Sequence, residues 1–259
     1  MNAPAHILPR SHGRAEIALD GARLTRLFQQ GCAKILLPRG RDEAVFTNTA
    51  GGITGGDRIA LAASLGAGDR LTMTTQAAER IYRSAGGVAR VTNELTLAAG
   101  ARLDWLPQET ILFNGAALDR CLTVHMAGDA QLLALETLIF GRAAHGEVIT
   151  RLHLRDNWRI HRGGRLIHAE SLRLDGLPGT PATTAGIGAA ATLVLAAPGV
   201  GDRLDAARAM LTGAAGATAP LPDLLVVRLL APSGQALRAM LIPLIHLLRG
   251  SRPPRVWQL

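Results

Sequence analysis

The amino-acid sequence predicts a mainly β protein of the α+β kind, a layered, β-helix-like stack of strands with two helices in its C-terminal third. Three observations lead to this prediction. From Ala44 to Leu174 the sequence consists of short runs that alternate apolar and polar residues and are separated by glycines. Three similar turns recur within that segment, and helix-type patterns occur only after residue 200. The chain of 259 residues is long enough to bury a core, and we expect one domain, 1–259.

The repeated unit is a strand, a turn and a second strand. Leu71, Leu103 and Leu132 each follow a turn that begins with Ala-Gly, and these leucines recur at intervals of roughly 30 residues. Such a period is typical of stacked strands, although three separate hairpins in a sandwich would also give three turns. We favour stacking because each unit is too apolar to be covered on one face only. The clearest alternating runs are Leu71–Thr75, Val91–Leu97 and Leu122–Met126.

A β-hairpin is predicted around Gly163-Gly164, because this pair supplies a positive φ at both central positions of a two-residue turn. In that register His161 faces Leu166, and Arg159 faces His168. Both histidines are therefore expected on the same face of the ribbon, where they could hold a metal ion or simply be polar surface residues. The predicted strands are Trp158–Arg162 and Arg165–Ala169.

After residue 190 the pattern changes to strands mixed with helices. Two apolar runs predict buried strands, and two longer segments predict helices that end where a glycine allows a left-handed cap. The first helix is expected to end at Gly213 and the second near Gly250. Pro243 is expected to kink the second helix or to remove its first half. The predicted strands are Ala191–Ala196 and Leu224–Leu230, and the predicted helices are Asp202–Thr212 and Gln235–Leu248.

The charge balance predicts an acidic partner. The chain has 28 Lys and Arg residues and 20 Asp and Glu residues, which gives a net charge of +8. The arginines are scattered and form no run of five, whereas nucleic-acid-binding proteins usually cluster their charge on one face. Aromatic residues make up only 3% of the chain, too few for platforms that stack bases. We therefore favour a protein partner and keep a basic nucleic-acid-binding β-domain as the alternative.

The termini and cysteines predict a cytoplasmic protein. The first residues, MNAPAHILPRSHG, lack the apolar stretch of a secretory signal. The most apolar segment, Ala239–Leu248, is about half as long as the ~20 residues that a membrane-spanning helix needs. Cys32 and Cys121 are too few and too far apart for a disulfide framework, which indicates a reducing compartment. We expect neither a secretion signal nor a membrane partner.

No motif for a catalytic nucleophile or a tight metal site occurs in the sequence. GxSxG and HExxH are absent, and the glycine loop Thr49–Asp57 (TAGGITGGD) lacks the spacing of a phosphate-binding loop. We interpret this loop as a structural element that presents Asp57, and we predict that the protein is not an enzyme. An enzyme with buried carboxylates as acid and base would need two of them close together, which the sequence does not reveal.

Several carboxylates lie inside strongly apolar segments. Glu109 interrupts the run DWLPQETILFN, Glu136 lies in LLALETLIF, and Glu170 lies among the apolar residues of the predicted hairpin. A carboxylate is costly to bury unless it is paired or hydrogen-bonded, so each needs a partner. For Glu136 the simplest interpretation is a buried ion pair with an arginine.

Taken together, the motifs resemble those of one family, the urease accessory proteins called UreD or UreH. The resemblance runs from about Arg23 to the C-terminus, and it is specific because the motifs occur in the same combination and order. The segments that carry it are TAGGITGGD (Thr49–Asp57), TTQAAERIYRS (Thr74–Ser84), LDWLPQETILFNGA (Leu103–Ala116), ETLIFGRAAHGE (Glu136–Glu147) and PPRVW (Pro253–Trp257).

The resemblance implies a non-enzymatic urease maturation factor with a layered β fold and two helices. Such proteins bind the urease apoprotein and the accessory protein UreF, which recruits the GTPase UreG, and they bind neither nucleic acid nor membranes. Ni²⁺ is expected to pass through an internal channel, with no tightly bound cofactor. Position in the family motifs assigns the transient nickel path to Asp57, Glu136, Glu170 and Glu79. Each of these could instead form a structural ion pair, and Arg58, Arg80 and Arg142 are the candidate partners.

Overall fold

The computed structural model describes residues 9–40, 42–176 and 186–258. These residues contain seventeen strands and two α-helices, which confirms the predicted fold class. The strands are β1 (His12–Asp20), β2 (Arg23–Gly31), β3 (Ala33–Leu36), β4 (Glu43–Asn48), β5 (Arg58–Leu65), β6 (Arg70–Thr75), β7 (Glu79–Ile81), β8 (Ala89–Leu97), β9 (Arg102–Leu106), β10 (Thr110–Leu112), β11 (Ala116–Met126), β12 (Gln131–Phe140), β13 (Leu152–Arg162), β14 (Arg165–Asp175), β15 (Ala189–Ala196), β16 (Ala215–Leu221) and β17 (Leu224–Ala231). The helices are α1 (Leu204–Ala209) and α2 (Gly234–Arg249).

The strands form two sheets that face each other. Sheet A has the order β14-β13-β11-β8-β5-β1-β2, and its five central strands are parallel. Sheet B has the order β16-β17-β15-β12-β9-β6-β4-β3, and its strands β4, β6, β9 and β12 are parallel. The chain alternates between the sheets, so β5 leads to β6, β8 to β9, and β11 to β12. Each crossing adds one layer to both sheets.

The three similar turns lie one above another, which confirms the predicted stacking. The amide of Gly68 donates to the carbonyl of Ala99 in the next layer at 2.8 Å. The amide of Gly100 in turn donates to Oδ1 of Asp129 at 3.0 Å. These bonds satisfy turn backbone that would otherwise depend on water, so the repeat in the sequence is a repeat in space.

Two hydrophobic clusters lie on the two sides of sheet B. The first fills the space between the sheets and includes Leu61, Leu95 and Leu122 of sheet A. The second lies between sheet B and α2, where Leu237 and Leu241 pack on the strands. Side chains of a strand alternate between the two faces, so β12 contributes even-numbered residues to the first cluster and Leu133 and Leu135 to the second. This parity directs Glu136 into the space between the sheets.

The helices differ from the prediction in extent. Helix α2 begins at the cap residue Ser233, whose Oγ accepts from the amide of Ala236, and ends at Gly250 with φ 74°. Pro243 lies inside it, so the expectation that proline removes the first half is wrong. The packed residues of that half hold it on sheet B. The predicted helix Asp202–Thr212 is longer than the observed α1, which contains only Leu204–Ala209. A 3₁₀ turn at Val200–Arg203 precedes it.

The N-terminal strands and the hairpin register are further corrections. Strands β1, β2 and β3 precede Ala44, where the β region was expected to begin. The hairpin turns at Gly163-Gly164 as predicted, and His161 pairs with Leu166, but a bulge then shifts the register so that Ile160 pairs with His168. The two histidines therefore lie on opposite faces, and the expectation of one shared face is wrong.

Candidate functional site

A buried ion cluster occupies the space between the sheets. Arg120 on β11 and Asp156 on β13 are in register on neighbouring parallel strands, and Glu136 approaches them from β12 in the facing sheet. Arg120 donates to Asp156 at 3.2 and 2.5 Å, and its Nη1 lies 2.5 Å from Oε2 of Glu136. Thr110 Oγ1 accepts a further bond from Arg120 at 3.0 Å. The three charged side chains are at most 7% exposed, so the cluster is effectively dry.

The cluster holds two carboxylates and one guanidinium. Burial raises the pKa of Glu136 to about 7, and the negative charge of Asp156 acts in the same direction. Arg120 and a 3.1 Å bond from Trp105 Nε1 favour the ionised form but do not cancel the effect of burial. When both acids are ionised, the cluster of Arg120, Glu136 and Asp156 has a net charge of −1. A proton on Glu136 or a passing cation would neutralise this charge.

Glu136 lines two cavities. The larger, of about 150 Å³, is lined by Glu136, Asp156 and Glu170 together with apolar side chains such as Trp158. The smaller, of about 60 Å³, is lined by Glu79, Glu136, Arg120 and apolar residues around them. The structure therefore places three of the four predicted acidic residues in the walls of two cavities, with Glu136 in the wall of both.

Glu170 lies at the far wall of the larger cavity. It pairs with Trp158 across β13 and β14, so its side chain points inward. Arg228 Nη2 lies 3.0 Å from Oε2, and Thr192 Oγ1 donates to Oε1 at 3.3 Å. Burial alone would raise the pKa of Glu170, but the neighbouring His168 and Arg228 hold it below its usual value. This carboxylate is thus kept ionised where the cavity meets the exposed Arg228 of β17.

Glu79 lies at the wall of the smaller cavity and has a different environment. Its oxygens accept from Nδ2 of Asn48 at 3.1 and 3.3 Å and from the amide of Arg80 at 3.2 Å. Within the residues that the structure describes, Glu79 forms no ion pair. Burial consequently raises the pKa of Glu79 to about 7.

Asp57 lines neither of these cavities. It is 3% exposed, and its two oxygens accept from the amides of Ser11 and Thr54, each at 2.8 Å. The Asp57 carboxylate is turned onto backbone amides, and its place on the nickel path stays a prediction. The glycine loop packs on the segment Thr74–Ser84. A Cβ on Gly55 would lie 2.0 Å from Ser84 Oγ.

The model of the UreD urease accessory protein family matches residues 11–258. The chain belongs to the UreD family. It is 48% identical to the urease accessory protein UreD of Rhizobium etli over 96% of both chains. It is 47% identical to that of Jannaschia sp. over 99% of this chain and 98% of the relative, and 45% identical to that of a Methylobacterium species over 96% and 95%.

The ion-pair partners in this UreD-family chain are not the expected ones. Arg58, Arg80 and Arg142 pair with none of the four predicted residues. Arg142 instead pairs with Glu147 at 2.9 Å on the surface. Glu136 does form the buried arginine pair expected of it, but with Arg120, which sequence reasoning did not single out.

Arg120 and Asp156 could have been found by parity. In LDRCLTVHM the arginine occupies the same parity as the buried Leu118 and Leu122, and in LRDNWRIHR the aspartate shares the parity of Trp158. A charged residue on the apolar face of a strand indicates a buried partner. The predicted need of Glu109 for a partner is confirmed, since Arg238 of α2 binds it at 2.8 Å.

The interior carboxylates do not form a closed metal site. Among the described residues, no three His, Cys, Asp or Glu side chains are grouped closely enough to hold a metal ion. No helix in the described ranges is both long and apolar enough to cross a membrane. Glu79, Glu136 and Glu170 are instead separate carboxylates in the walls of two cavities.

Proposed function

We propose that this chain is a non-enzymatic urease maturation factor that passes Ni²⁺ through its interior to the urease apoprotein. One observation carries the proposal: Glu79, Glu136 and Glu170 line two cavities that share Glu136 as a wall residue, in a chain of the UreD family. Nickel is the cargo of this process and is not a resident cofactor. The protein itself is proposed to be cytoplasmic.

Separate carboxylates suit an ion in transit. Oxygen ligands compensate the hydration that Ni²⁺ loses, and a set of one or two releases the ion more readily than a cage of nitrogen and sulfur ligands. Glu136, which lines both cavities, would let the ion move between neighbouring ligands without crossing a wholly apolar region. The single excess negative charge of the central cluster favours a cation there.

Arg120 limits how tightly that central position can bind. Its guanidinium already engages both Glu136 and Asp156, so an arriving cation must compete with a resident one. Removing both carboxylate bonds at once would leave buried charges unpaired, which is strongly unfavourable. Ni²⁺ would therefore be held weakly and passed on.

The partners of the maturation role are also part of the proposal. We expect the chain to bind the urease apoprotein and UreF, and to meet UreG through UreF. The family match supports an accessory role in urease maturation, and the absence of a nucleophile motif in the sequence supports a role without catalysis. That Asp57 lies on the nickel path stays a prediction, since its oxygens are bound to loop amides.

The experiment measures nickel in urease after co-expression with variants of this chain. Glu136→Gln and Glu170→Gln, singly and combined, are expected to leave the accessory complex assembled and to lower the nickel content and activity of urease severalfold. Asp57→Asn tests the remaining assignment in the same assay. Glu147→Gln is the matched control, because it removes a carboxylate from a surface ion pair outside the cavities. Urease with full nickel content from the combined variant would refute the internal path.

A further inference from the structure

The outer face of sheet A is an open surface of small side chains. Outward residues of β5 and β8, such as Ala60, Ala62, Thr92 and Thr96, alternate with buried ones and are exposed or half-buried. Both hydrophobic clusters of the described residues lie on the other side of this sheet or beyond sheet B. Among the described residues, this face therefore has no hydrophobic cluster packed on it.

One row of charged residues crosses this face at the same level on six strands. Arg58 of β5 pairs directly with Arg90 of β8, and the next strands continue the row with Asp119 and Arg155. Like charges directly opposite each other destabilise a sheet, so the fold gains nothing from the first pair. The complete row is His12, Arg58, Arg90, Asp119, Arg155 and Arg173.

Most of the positive charge in this row is not compensated. Within the described ranges Arg58, Arg90 and Arg155 have no ion pair and no side-chain hydrogen bond. The acid of the row, Asp119, is itself engaged by His153 Nε2 at 3.1 Å. Arg58 and Arg90 also line an open groove of about 580 Å³ at the β1 side of the face. Arg173 at the end of the row pairs with Asp175 at 2.7 Å. Three exposed guanidinium groups of the row, those of Arg58, Arg90 and Arg155, thus have no ion pair within the described ranges.

The face is large enough for a stable protein interface. Seven strands spaced about 4.8 Å apart are roughly 29 Å wide, and eight residues at about 3.3 Å each are roughly 26 Å long. The product, roughly 750 Å², is close to the ~800 Å² that one partner contributes to a standard interface.

We propose that the outer face of sheet A is the docking surface for an acidic protein segment, whose carboxylates pair with Arg58, Arg90 and Arg155. Guanidinium groups bind carboxylates through paired hydrogen bonds, and the small side chains between them allow close approach. A nucleic acid fits less well, because Glu94 and Asp119 stand among the arginines and would repel phosphates. The outward positions of β5, β8 and β11 also carry no Phe, Tyr or Trp for base stacking.

The test reverses the charge of two arginines and measures binding to two probe proteins, the urease apoprotein and UreF. The choice of these probes rests on the proposed function, which names them as the direct partners of the chain. The sheet-face variant is Arg58→Glu/Arg90→Glu. The control variant is Arg70→Glu/Arg252→Glu, which changes the net charge by the same amount at exposed positions outside this face. Binding of purified urease apoprotein and purified UreF to the full-length chain is measured at two salt concentrations. The sheet-face variant is expected to lose at least tenfold in affinity for one of them, with a smaller loss at high salt. The control variant is expected to bind both within about threefold.

Three outcomes overturn the docking surface. Equal binding by both double variants would show that net charge alone, or another face, is responsible. Retention of the wild-type chain on duplex DNA with a steep salt dependence, lost only in the sheet-face variant, would assign the surface to nucleic acid. Wild-type chain that binds neither purified protein would overturn both this surface and the partners of the proposed function. Loss of nickel transfer alone, with binding intact, bears only on the proposed function.

Discussion

Replacing Glu79 by Gln is expected to stabilise the folded chain at alkaline pH. The carboxyl is half-buried and has no ion pair among the described residues, and burial raises its pKa from 4.5 to about 7. A group whose pKa is higher in the folded state contributes stability below its unfolded pKa, and this contribution is lost as the pH rises through the folded value. Glu79 is therefore neutral in the folded chain at pH 5 and a destabilising buried charge at pH 8.

The magnitude follows from the two pKa values. The difference between 4.5 and about 7 corresponds to about 3 kcal/mol of unfolding free energy at pH 8, as an upper bound for this one group. Gln cannot ionise, and its carbonyl oxygen can still accept from Asn48 Nδ2 as the carboxylate does. The variant should thus gain up to about 3 kcal/mol over the wild type at pH 8 and little at pH 5.

The assay is urea denaturation of both proteins at pH 5, 6, 7 and 8. Glu147→Gln is the control of opposite sign, because the hydrogen bond from Arg142 lowers the pKa of Glu147 and its pairing is lost as the pH falls. That variant should be less stable than the wild type at pH 8, by a small amount, since Arg142 is exposed. If Glu79→Gln is no more stable than the wild type at pH 8, the assignment of a costly buried charge to Glu79 is wrong.

Two further stability predictions follow from the interior and the glycine loop, beside the nickel-content and docking experiments above. Arg120→Met should lower the unfolding free energy at pH 7 by about 3–5 kcal/mol, because two carboxylates lose their buried partner. Arg120→Lys keeps a positive charge and should lose less of this free energy. A denaturation midpoint of Arg120→Met equal to that of the wild type would contradict the buried ion pairs of Arg120. Gly55→Ala should cost about 1–3 kcal/mol, because the new Cβ meets Ser84 Oγ and two backbone carbonyls. Gly128→Ala, which meets nothing within 4 Å, is its control in thermal melts.

The local pattern of the sequence was sufficient to predict the stacked strands. Alternation fixes which face of a strand a residue occupies, and the recurring Ala-Gly turns fix how often the chain reverses. The continuous apolar run around Glu136 predicted that its carboxylate is buried, and the structure confirms this. The absence of a visible partner for such a carboxylate was already a sign of function or of a buried ion pair.

What the sequence by itself determined is therefore the layered β class, the late helices, the UreD motifs and the burial of Glu136. Only the tertiary structure decided that Arg120 and Asp156 are its neighbours, that Glu79 and Glu170 share its cavities, and that Asp57 does not. The physical reason is register. Parity is a property of one strand, whereas contacts depend on which strands are adjacent. They also depend on bulges such as the one between Ile160 and His161, which places His168 on the opposite face of the sheet from His161.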